Sequence, residues 1–294
     1  MAEIGATVEI DAQLLRAWPL PRPGGAADKE ARGATLVIAG CAEMPGAATL
    51  AATSALRAGA GKIAVATVAA IAPGIALRLA EARVVALAET VAGGIAADAM
   101  AKLEAHLAKV DAVLIGPGLQ DAAATRAFTR RLLKRATHAA VVVDALAMDA
   151  VLDLRRFEHP PLLTPHAGEM AHLTGITKEE VCADPERHAR EAAVRWNAVV
   201  ALKGATTYIA TPDGDCWRHV GGQPGLGTSG SGDVLAGIVV GLAARGAPLA
   251  QAAVWGIALH ARAGLALAER LGSIGYLARE LPAEIPMLLD KLAH

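Results

Sequence analysis

A glycine-rich segment runs directly into an apolar helix near residue 230 and carries the chain's strongest chemical signal. Residues 221–233 read Gly-Gly-Gln-Pro-Gly-Leu-Gly-Thr-Ser-Gly-Ser-Gly-Asp, and apolar side chains over 234–242 then recur at helical spacing. The first amides of a helix lack partners within the helix, and glycines allow the backbone to approach a ligand closely. Because the helix dipole favours an anion at this end, the segment predicts a phosphate-binding loop.

Asp233 stands at the start of this predicted helix, and two interpretations of it remain open. An aspartate is a good helix cap, which would make the residue purely structural. Alternatively, its carboxylate is a general base beside a bound phosphate, as phosphoryl transfer to a hydroxyl requires. Short motifs of this kind are common, so the pattern alone does not separate the two.

Length, charge and cysteine content restrict the class of protein. The chain has 294 residues, of which 54% are hydrophobic, and a formal net charge of −1. A near-neutral balance without a basic cluster argues against a nucleic-acid-binding surface. The three cysteines are widely separated and form no disulfide or zinc pattern, which favours a reducing cytoplasm. The N-terminal residues do not resemble a signal peptide, and uncharged runs contain Pro or Gly and are too short to span a membrane.

Short apolar strands alternate with helical segments through the first half of the chain. We predict strands at 35–40, 62–67, 83–87, 112–115 and 140–143, and helices at 45–58, after 73, at 97–107 and at 122–135. This alternation predicts an α/β fold, a mostly parallel sheet covered by helices on both faces.

The second half departs from that alternation. After a helix at 185–196 and a strand at 198–203, a tight turn at 212–215 predicts an appended antiparallel hairpin. Helices at 249–270 and about 286–292 close the chain. Residues 1–33 are predicted to be a leader, with a loop at 24–33, and the absence of repeats or a linker predicts a single domain over 1–294.

Glycines and polar residues follow several predicted strands where each strand ends. They are Gly40, residues 116–118, Asp144 and residues 164–169. Any one of them alone is typical turn chemistry. Ligands of open α/β sheets bind beyond the carboxyl ends of the strands, so we expect these segments to converge on one crevice.

Three further side chains each have a structural and a functional interpretation. His166 is either packed or site-lining, and it follows a different strand from Lys203, so we expect it to face the other half of the crevice. Glu169 either suits the start of a helix or holds a magnesium ion through water. Lys203, at a strand end, either reaches a phosphate or lies along the surface.

Taken in order, these segments resemble the ADP- or ATP-dependent NAD(P)H-hydrate dehydratase family, which has a ribokinase-like fold. The resemblance rests on Pro45-Gly46-Ala47-Ala48, Gly116-Pro117-Gly118-Leu119, Thr164-Pro165-His166-x-Gly168-Glu169, Lys203-Gly204-Ala205-x-Thr207 and Gly230-Ser231-Gly232-Asp233. Trp18-Pro19-Leu20-Pro21 also looks like the family's start. The ordered set spans nearly the whole chain and is more specific than the glycine loop, which many small-molecule kinases share. The resemblance implies a three-layer sandwich, and the chain has no room for the epimerase domain of some relatives.

The resemblance implies repair of damaged NADH or NADPH, in which water has been added across a ring double bond. The enzyme phosphorylates the resulting hydroxyl with ADP or ATP and magnesium, phosphate leaves, and the reduced nicotinamide returns. The implied contacts to the hydrate come from Ala47, Gly118, His166 and Asp233, with Asp233 as the general base. The implied nucleotide contacts come from Lys203, Gly204, Ala205, Thr206, Thr207, Gly230, Ser231 and Gly232. The family also implies a homo-oligomer, a tetramer, with neither nucleic acid nor membrane as partner.

The chain departs from the family pattern at a few positions. Val142 stands where the family usually has the first Asp of Asp-Ala-Asp-Ala-Leu, a difference that bears on the polar contacts at an edge of the site. Ala167 replaces a proline and Gln120 a glycine. Two alternatives remain: a ribokinase-like kinase that stops at the phosphorylated product, acting on a hydroxymethyl or vitamin-precursor substrate, and a non-catalytic nucleotide-binding protein. Asp233 and the intact glycine loop argue against the second alternative.

Overall fold

Strands of the computed structural model, which describes residues 5–21 and 29–293, form one ten-stranded sheet. The strands are β1 (Val8–Glu9), β2 (Ala34–Ile38), β3 (Lys62–Val68), β4 (Arg83–Leu87), β5 (Ala112–Ile115), β6 (Ala140–Val143), β7 (Leu162–Leu163), β8 (Val199–Leu202), β9 (Thr206–Ala210) and β10 (Cys216–Val220). Their order across the sheet is β1-β10-β9-β8-β7-β6-β5-β2-β3-β4.

Neighbouring strands from β8 through to β4 are parallel, whereas β9 is antiparallel to both β8 and β10. The predicted α/β fold with an antiparallel hairpin is therefore confirmed. The leader adds a feature that was not predicted, because β1 pairs in parallel with β10 and extends the sheet. Residues 24–28 of the loop predicted at 24–33 lie outside the described residues, and residues 29–32 form a turn.

The helices cover both faces of the sheet. They are α1 (Ala12–Ala17), α2 (Pro45–Arg57), α3 (Ala72–Arg78), α4 (Glu104–Leu107), α5 (Ala122–Arg135), α6 (Ala167–Thr174), α7 (Lys178–Ala183), α8 (Pro185–Trp196), α9 (Ser231–Ala244), α10 (Leu249–Leu271) and α11 (Leu281–Ala293). Short 3₁₀ helices span Ala97–Leu103, Ala145–Leu152, Pro224–Leu226 and Ala278–Glu280. Among the described helices, none is long and apolar enough to cross a membrane.

Two predicted helices differ from the structure. The segment predicted as one helix over 97–107 is a 3₁₀ helix followed by the single turn α4. Its buried Met100 and Leu103 are three residues apart, the spacing that a 3₁₀ helix stacks on one side. Helix α11 begins before the predicted position 286 and includes Pro286, because buried Leu281 and Ile285 already belong to its apolar face.

Side chains of the central strands point alternately to the two faces of the sheet, so a separate hydrophobic core forms on each face. In β2, Val37 points into a core shared with α2, α9, α10 and α11, whereas Leu36 and Ile38 point into the core beneath α5 and α8. Successive side chains of a strand face opposite sides, so a strand that is apolar throughout supplies both cores.

Small residues bring α9 unusually close to α2. A Cβ on Gly237 would lie 2.2 Å from the carbonyl oxygen of Ala51, and one on Gly241 would lie 2.5 Å from that of Ala55. Any side chain at these two glycines would collide with the α2 backbone. The contact fixes the position of α9, and therefore of the glycine loop that precedes it.

The leader packs onto the last strand and α10. The rings of Trp18 and Trp217 stack with centroids 5.4 Å apart. The carbonyl oxygen of Trp18 also accepts hydrogen bonds from Nε1 of Trp255 at 2.8 Å and from Nε2 of Gln251 at 3.1 Å. The stacking of these two half-buried indole rings, together with the hydrogen bonds, ties residues 8–20 to the body of the fold.

Candidate active site

Carboxyl ends of the central strands contact one another through backbone atoms. The amide of Gly40, after β2, donates to the carbonyl oxygen of Pro117, after β5, at 2.8 Å. A Cβ on Gly116 would lie 1.8 Å from the carbonyl oxygen of Asp144, which follows β6. The predicted convergence of these segments at one edge of the sheet is confirmed.

Asp144 joins two further strand ends at this edge. Its Oδ1 accepts a hydrogen bond from Oγ1 of Thr164 at 2.6 Å and lies 3.3 Å from Nζ of Lys203. The Lys203 side chain is only 20% exposed, so the interpretation of a lysine lying along the surface is wrong. Burial opposes the charged form of Lys203, but the carboxylates of Asp144, Glu169 and Asp233 hold its pKa above the usual value.

Helix α9 begins at Ser231, and Asp233 is its third residue. The capping position belongs to Gly230, whose φ of 87° lies in the left-handed region that favours glycine. None of the described residues donates a hydrogen bond to the Asp233 carboxylate, which therefore caps no helix in this part of the chain. The interpretation of Asp233 as a helix cap is wrong.

The Asp233 carboxyl has a pKa suited to proton transfer near neutrality. Burial raises this pKa to about 6, the negative charge of Asp144 contributes in the same direction, and the positive charge of Lys203 opposes both. A base whose pKa lies near the operating pH is ionised often enough to accept a proton and basic enough to keep it during the reaction.

His166 is the N-cap of α6, and this contact determines its protonated nitrogen. Its Nδ1 accepts hydrogen bonds from the amides of Gly168 at 3.0 Å and Glu169 at 3.1 Å. In the neutral ring the proton therefore resides on Nε2, which is a donor on a side chain that is 59% exposed. Oε2 of Glu169 accepts in return from the His166 amide at 2.8 Å, which completes a capping box. Glu169 therefore has the predicted structural role at the helix start.

A cavity of about 530 Å³ lies between the ends of β8–β10, the glycine loop and α10. Most of the predicted nucleotide-binding residues line it: Lys203, Gly204, Ala205, Thr207, Ser231 and Gly232. Thr206 and Gly230 do not. Thr206 pairs with Val220 in β10, and Gly230 faces α2, where a Cβ would lie 2.5 Å from Cδ1 of Leu50. The structure thus places these two beside the cavity.

Among the predicted substrate contacts, Ala47 and Gly118 form a pair, and His166 lines the cavity. A Cβ on Gly118 would lie 2.6 Å from Cβ of Ala47, so these two residues touch each other. His166 lines the 530 Å³ cavity together with Lys203, and it also lines a second cavity of about 520 Å³ with Glu169. The expectation that His166 faces away from the Lys203 half is wrong in part, because β7 and β8 are neighbours and the two residues form a parallel bridge.

A larger cavity of about 820 Å³ lies on the other side of the glycine loop. Its described lining includes Gly46 and Leu50 of α2, Thr228, and the side chains of Arg78 and Arg279. It contains neither a histidine nor a lysine from the described residues. The smaller cavity, which brings Lys203 beside the first turn of α9, is therefore the better candidate for phosphate chemistry.

Two residues that the sequence did not single out belong to the 530 Å³ cavity. His260 of α10 has its Nε2 3.0 Å from Oγ of Ser231. His219 of β10 also lines the cavity, and its buried Nε2 has no hydrogen-bond partner among the described residues. A histidine within an apolar helix was the available signal for His260, but its partner lies 29 residues away.

The departures from the family pattern have structural explanations. Val142 is fully buried in β6, in the core that the sheet shares with α2 and α9. Gln120 donates from Nε2 to the carbonyl oxygen of Ala92 at 2.8 Å, which closes a surface loop. Ala167 is the first residue of α6, where proline and alanine both fit.

Comparisons with known proteins agree with this geometry. A family model described as NAD(P)H-hydrate dehydratase matches residues 35–287. An ADP-dependent (S)-NAD(P)H-hydrate dehydratase of Xanthomonas campestris pv. campestris is 48% identical over 283 residues, which cover 96% of each chain.

Two solved structures share the fold. The Bacillus subtilis ADP/ATP-dependent NAD(P)H-hydrate dehydratase, co-crystallised with ATP and Mg²⁺, superposes with a TM-score of 0.83 at 29% identity, covering 97% of this chain and 99% of that one. A ribokinase-like superfamily protein of Enterococcus faecalis has the same TM-score of 0.83 at 23% identity, covering 98% and 96%. With a ribokinase-like sheet, a glycine loop at the start of α9 and these relatives, the chain belongs to the NAD(P)H-hydrate dehydratase family.

Proposed function

We propose that this protein repairs hydrated NADH and NADPH by ADP-dependent dehydration. The observation that carries the proposal is the state of Asp233. Its carboxylate has no hydrogen-bond donor among the described residues, has a pKa raised to about 6, and lies in the first turn of α9. A carboxylate used for capping would be engaged with backbone amides, whereas a general base must be available to a substrate hydroxyl.

The first chemical step is phosphorylation of the hydrate. The hydroxyl oxygen attacks the terminal phosphoryl group of the nucleotide, its proton passes to Asp233, and the bond from that phosphorus to the bridging oxygen breaks. With ADP as donor, AMP leaves. Loss of phosphate and a ring proton then restores the double bond, so that hydrate and ADP become NAD(P)H, AMP and phosphate.

Positive groups at the cavity support binding of the transferred phosphoryl group. Nζ of Lys203 would lie 3.7 Å from a Cβ on Gly232, so this cation is adjacent to the first turn of α9. Free amides and the dipole at that helix start also favour negative charge. A dipole contributes only about 0.3–2 kcal/mol, and the Ser231 amide already donates to the carbonyl oxygen of Thr228 at 3.2 Å. Lys203 and the Gly232 amide must therefore supply most of the stabilisation.

Magnesium fits the site as an ion held mainly by the nucleotide. Within the described residues there is no group of three or more His, Cys, Asp or Glu side chains that could hold a metal. Magnesium commonly binds through substrate phosphates, water and one or two carboxylates. Oε1 of Glu169 accepts no hydrogen bond from the described residues, so this carboxylate fits a water-mediated contact. Bound there, the ion would neutralise phosphate charge.

Ala47, Gly118 and His166 are suited to hold the dinucleotide. Ala47 and Gly118 pack against each other, and a Cβ on Gly118 would lie 2.6 Å from Cβ of Ala47, so a larger side chain at position 118 would displace Ala47. Nε2 of His166 lies 3.6 Å from Oε2 of Glu169, on a side chain that is 59% exposed. Its N–H is therefore a donor that a carbonyl or hydroxyl oxygen of the substrate can reach.

The decisive test is Asp233→Asn, which keeps the size of the side chain and removes the base. Hydrated NADH is mixed with ADP and magnesium, and recovery of the near-ultraviolet absorbance of reduced nicotinamide is followed. We expect the wild type to restore absorbance and the variant to lose about 10²–10⁴ in rate. Because a raised carboxyl pKa means that the charged form opposes folding, the variant should be at least as heat-stable at neutral pH.

The controls separate this function from its alternatives. The variant should bind ADP at least as tightly, since a negative charge beside the phosphates is gone. A stable variant that repairs at more than about a tenth of the wild-type rate would contradict the general-base role. A wild type that consumes nucleotide and releases a stable phosphoester would instead be a small-molecule kinase.

The family resemblance also favours a homo-oligomer, and the surface supports self-association. Leu77 is 90% exposed and Leu277 is 42% exposed, and both line the 820 Å³ cavity. Exposed apolar side chains grouped at one place commonly mark a contact between proteins. Light scattering of the purified chain measures the oligomeric state directly.

A further inference from the structure

His260 contacts the glycine loop from α10 rather than from the loop's own helix. Its Nε2 lies 3.0 Å from Oγ of Ser231, the first residue of α9. Ser231 is buried, and His260 is half-buried where α10 borders the 530 Å³ cavity. Ser231 immediately precedes Gly232 and Asp233, so the contact lies in the first turn of α9, where phosphate and base would meet.

The same face of α10 also contacts the other end of the loop. A Cβ on Gly264 would lie 2.8 Å from the side chain of Leu226, in the 3₁₀ turn that begins the loop. Residues 260 and 264 are four apart and lie one above the other on a helix. Gly264 therefore contacts the loop near its start, and His260 contacts it near its end. Ile257 and Ala261, on the same helix, line the 530 Å³ cavity.

Helix α10 is a rigid support for these contacts. A Cβ on Gly256 would lie 2.5 Å from Cγ2 of Val239, so α10 packs against α9 without space for a side chain. Trp255 is fully buried in the same core. Because the backbone of α10 is held on α9, the imidazole of His260 is presented to Ser231 at a fixed position.

The His260 ring is neutral, which suits a position beside phosphates. Burial lowers its pKa to about 4, a hydrogen bond with the Ser231 backbone opposes this shift, and the positive charge of Lys203 acts in the same direction as burial. A neutral imidazole has one donor and one acceptor nitrogen, so it can hold a serine hydroxyl without placing another charge in the cavity.

We propose that His260 is a positioning residue for the phosphate-binding loop: its contact with Ser231 holds the first turn of α9, and with it the Gly232 amide and Asp233, in register with the bound nucleotide. This inference rests on the proposed function for the identity of the nucleotide, but the geometry concerns any phosphate donor in this cavity.

The test uses His260→Leu, His260→Gln, Ser231→Ala and the double variant His260→Leu with Ser231→Ala. Leucine fills the space without a hydrogen bond, whereas glutamine places an amide near the position of Nε2. We expect His260→Leu and Ser231→Ala each to raise the KM for ADP roughly three- to tenfold, the size of one neutral hydrogen bond. The double variant should be no worse than the more affected single variant, and His260→Gln should stay within about twofold of the wild type.

Calorimetric binding of ADP with magnesium keeps this test separate from repair activity. If the wild type binds ADP but repairs no hydrated dinucleotide, the proposed function fails while the His260 comparison still applies. Unchanged ADP affinity in His260→Leu, or effects of the two single variants that simply add, would overturn the positioning role. His188→Gln is the matched control, because His188 is a buried histidine on α8 and should leave ADP affinity and KM unchanged.

Discussion

Nζ of Lys203 lies 3.3 Å from Oδ1 of Asp144, although the two residues are 59 positions apart in the chain. Asp144 also raises the pKa of Asp233, whereas Lys203 lowers it. The buried carboxylate of Asp144 thus interacts with Lys203, which we assign to nucleotide binding, and with Asp233, which we assign as the general base. A substitution of either Lys203 or Asp144 should therefore change the pKa of Asp233.

Lys203→Met should cost stability because it leaves Asp144 buried and unpaired. We expect a loss of about 3 kcal/mol in the free energy of unfolding, near the low end for a buried ion pair, since Lys203 keeps 20% of its side chain exposed. The double variant Lys203→Met with Asp144→Asn should recover most of that stability but not ADP affinity. Urea unfolding and calorimetry measure the two quantities, and a single variant as stable as the wild type would refute the coupling.

The repair rate should rise with pH through about 6 and level off above it, because Asp233 must be ionised to accept a proton. Asp144→Asn removes a charge that raises this pKa, so its midpoint should move to lower pH. Phosphate groups of the nucleotide also titrate near pH 6. Because the wild type and Asp144→Asn are compared with the same nucleotide, any difference between their midpoints comes from the protein. Initial rates from pH 5 to 8 give both midpoints, and coincident profiles would rule out an influence of Asp144 on the base.

Gly232→Ala should fold normally yet bind nucleotide poorly. A Cβ at this position would make an ordinary contact, 3.7 Å from Nζ of Lys203, so the free protein has room for it. The methyl group takes the space through which phosphate approaches the amides, and we expect at least a tenfold loss of ADP affinity, about 1.4 kcal/mol. Gly74→Ala in α3, where a Cβ would meet nothing within 4 Å, is the control for a Gly-to-Ala change in a helix. Equal ADP affinity in both variants would exclude close approach at Gly232.

His166 can be tested in its two roles separately. His166→Ala removes the cap of α6 and should cost about 1 kcal/mol of stability, whereas His166→Asn keeps an acceptor for the amides of Gly168 and Glu169. Both variants remove the Nε2–H donor, so both should raise the apparent KM for the hydrate more than the apparent KM for ADP. Thermal unfolding and steady-state rates distinguish these effects. If the asparagine variant handled the hydrate normally, His166 would be a cap alone.

Local patterns in the sequence were enough to predict the elements and the chemistry of the glycine loop. Apolar periodicity, glycines and prolines act on neighbouring residues, so the parallel strands, the hairpin and the helix after Asp233 were all readable from short windows. The convergence of strand ends was also predictable, because parallel strands with helical crossovers place all their carboxyl ends at one edge.

Tertiary structure alone decided which groups pair across that edge. The placement of β6, β7 and β8 side by side brings Asp144 to Lys203, and the packing of α10 on α9 brings His260 to Ser231. The pairing of β1 with β10 and the burial of Val142 in the core also depend on contacts between distant parts of the chain. None of these contacts is encoded within one helical turn or one strand, because burial and pKa depend on neighbours that are distant in the chain and become adjacent only when the sheet assembles.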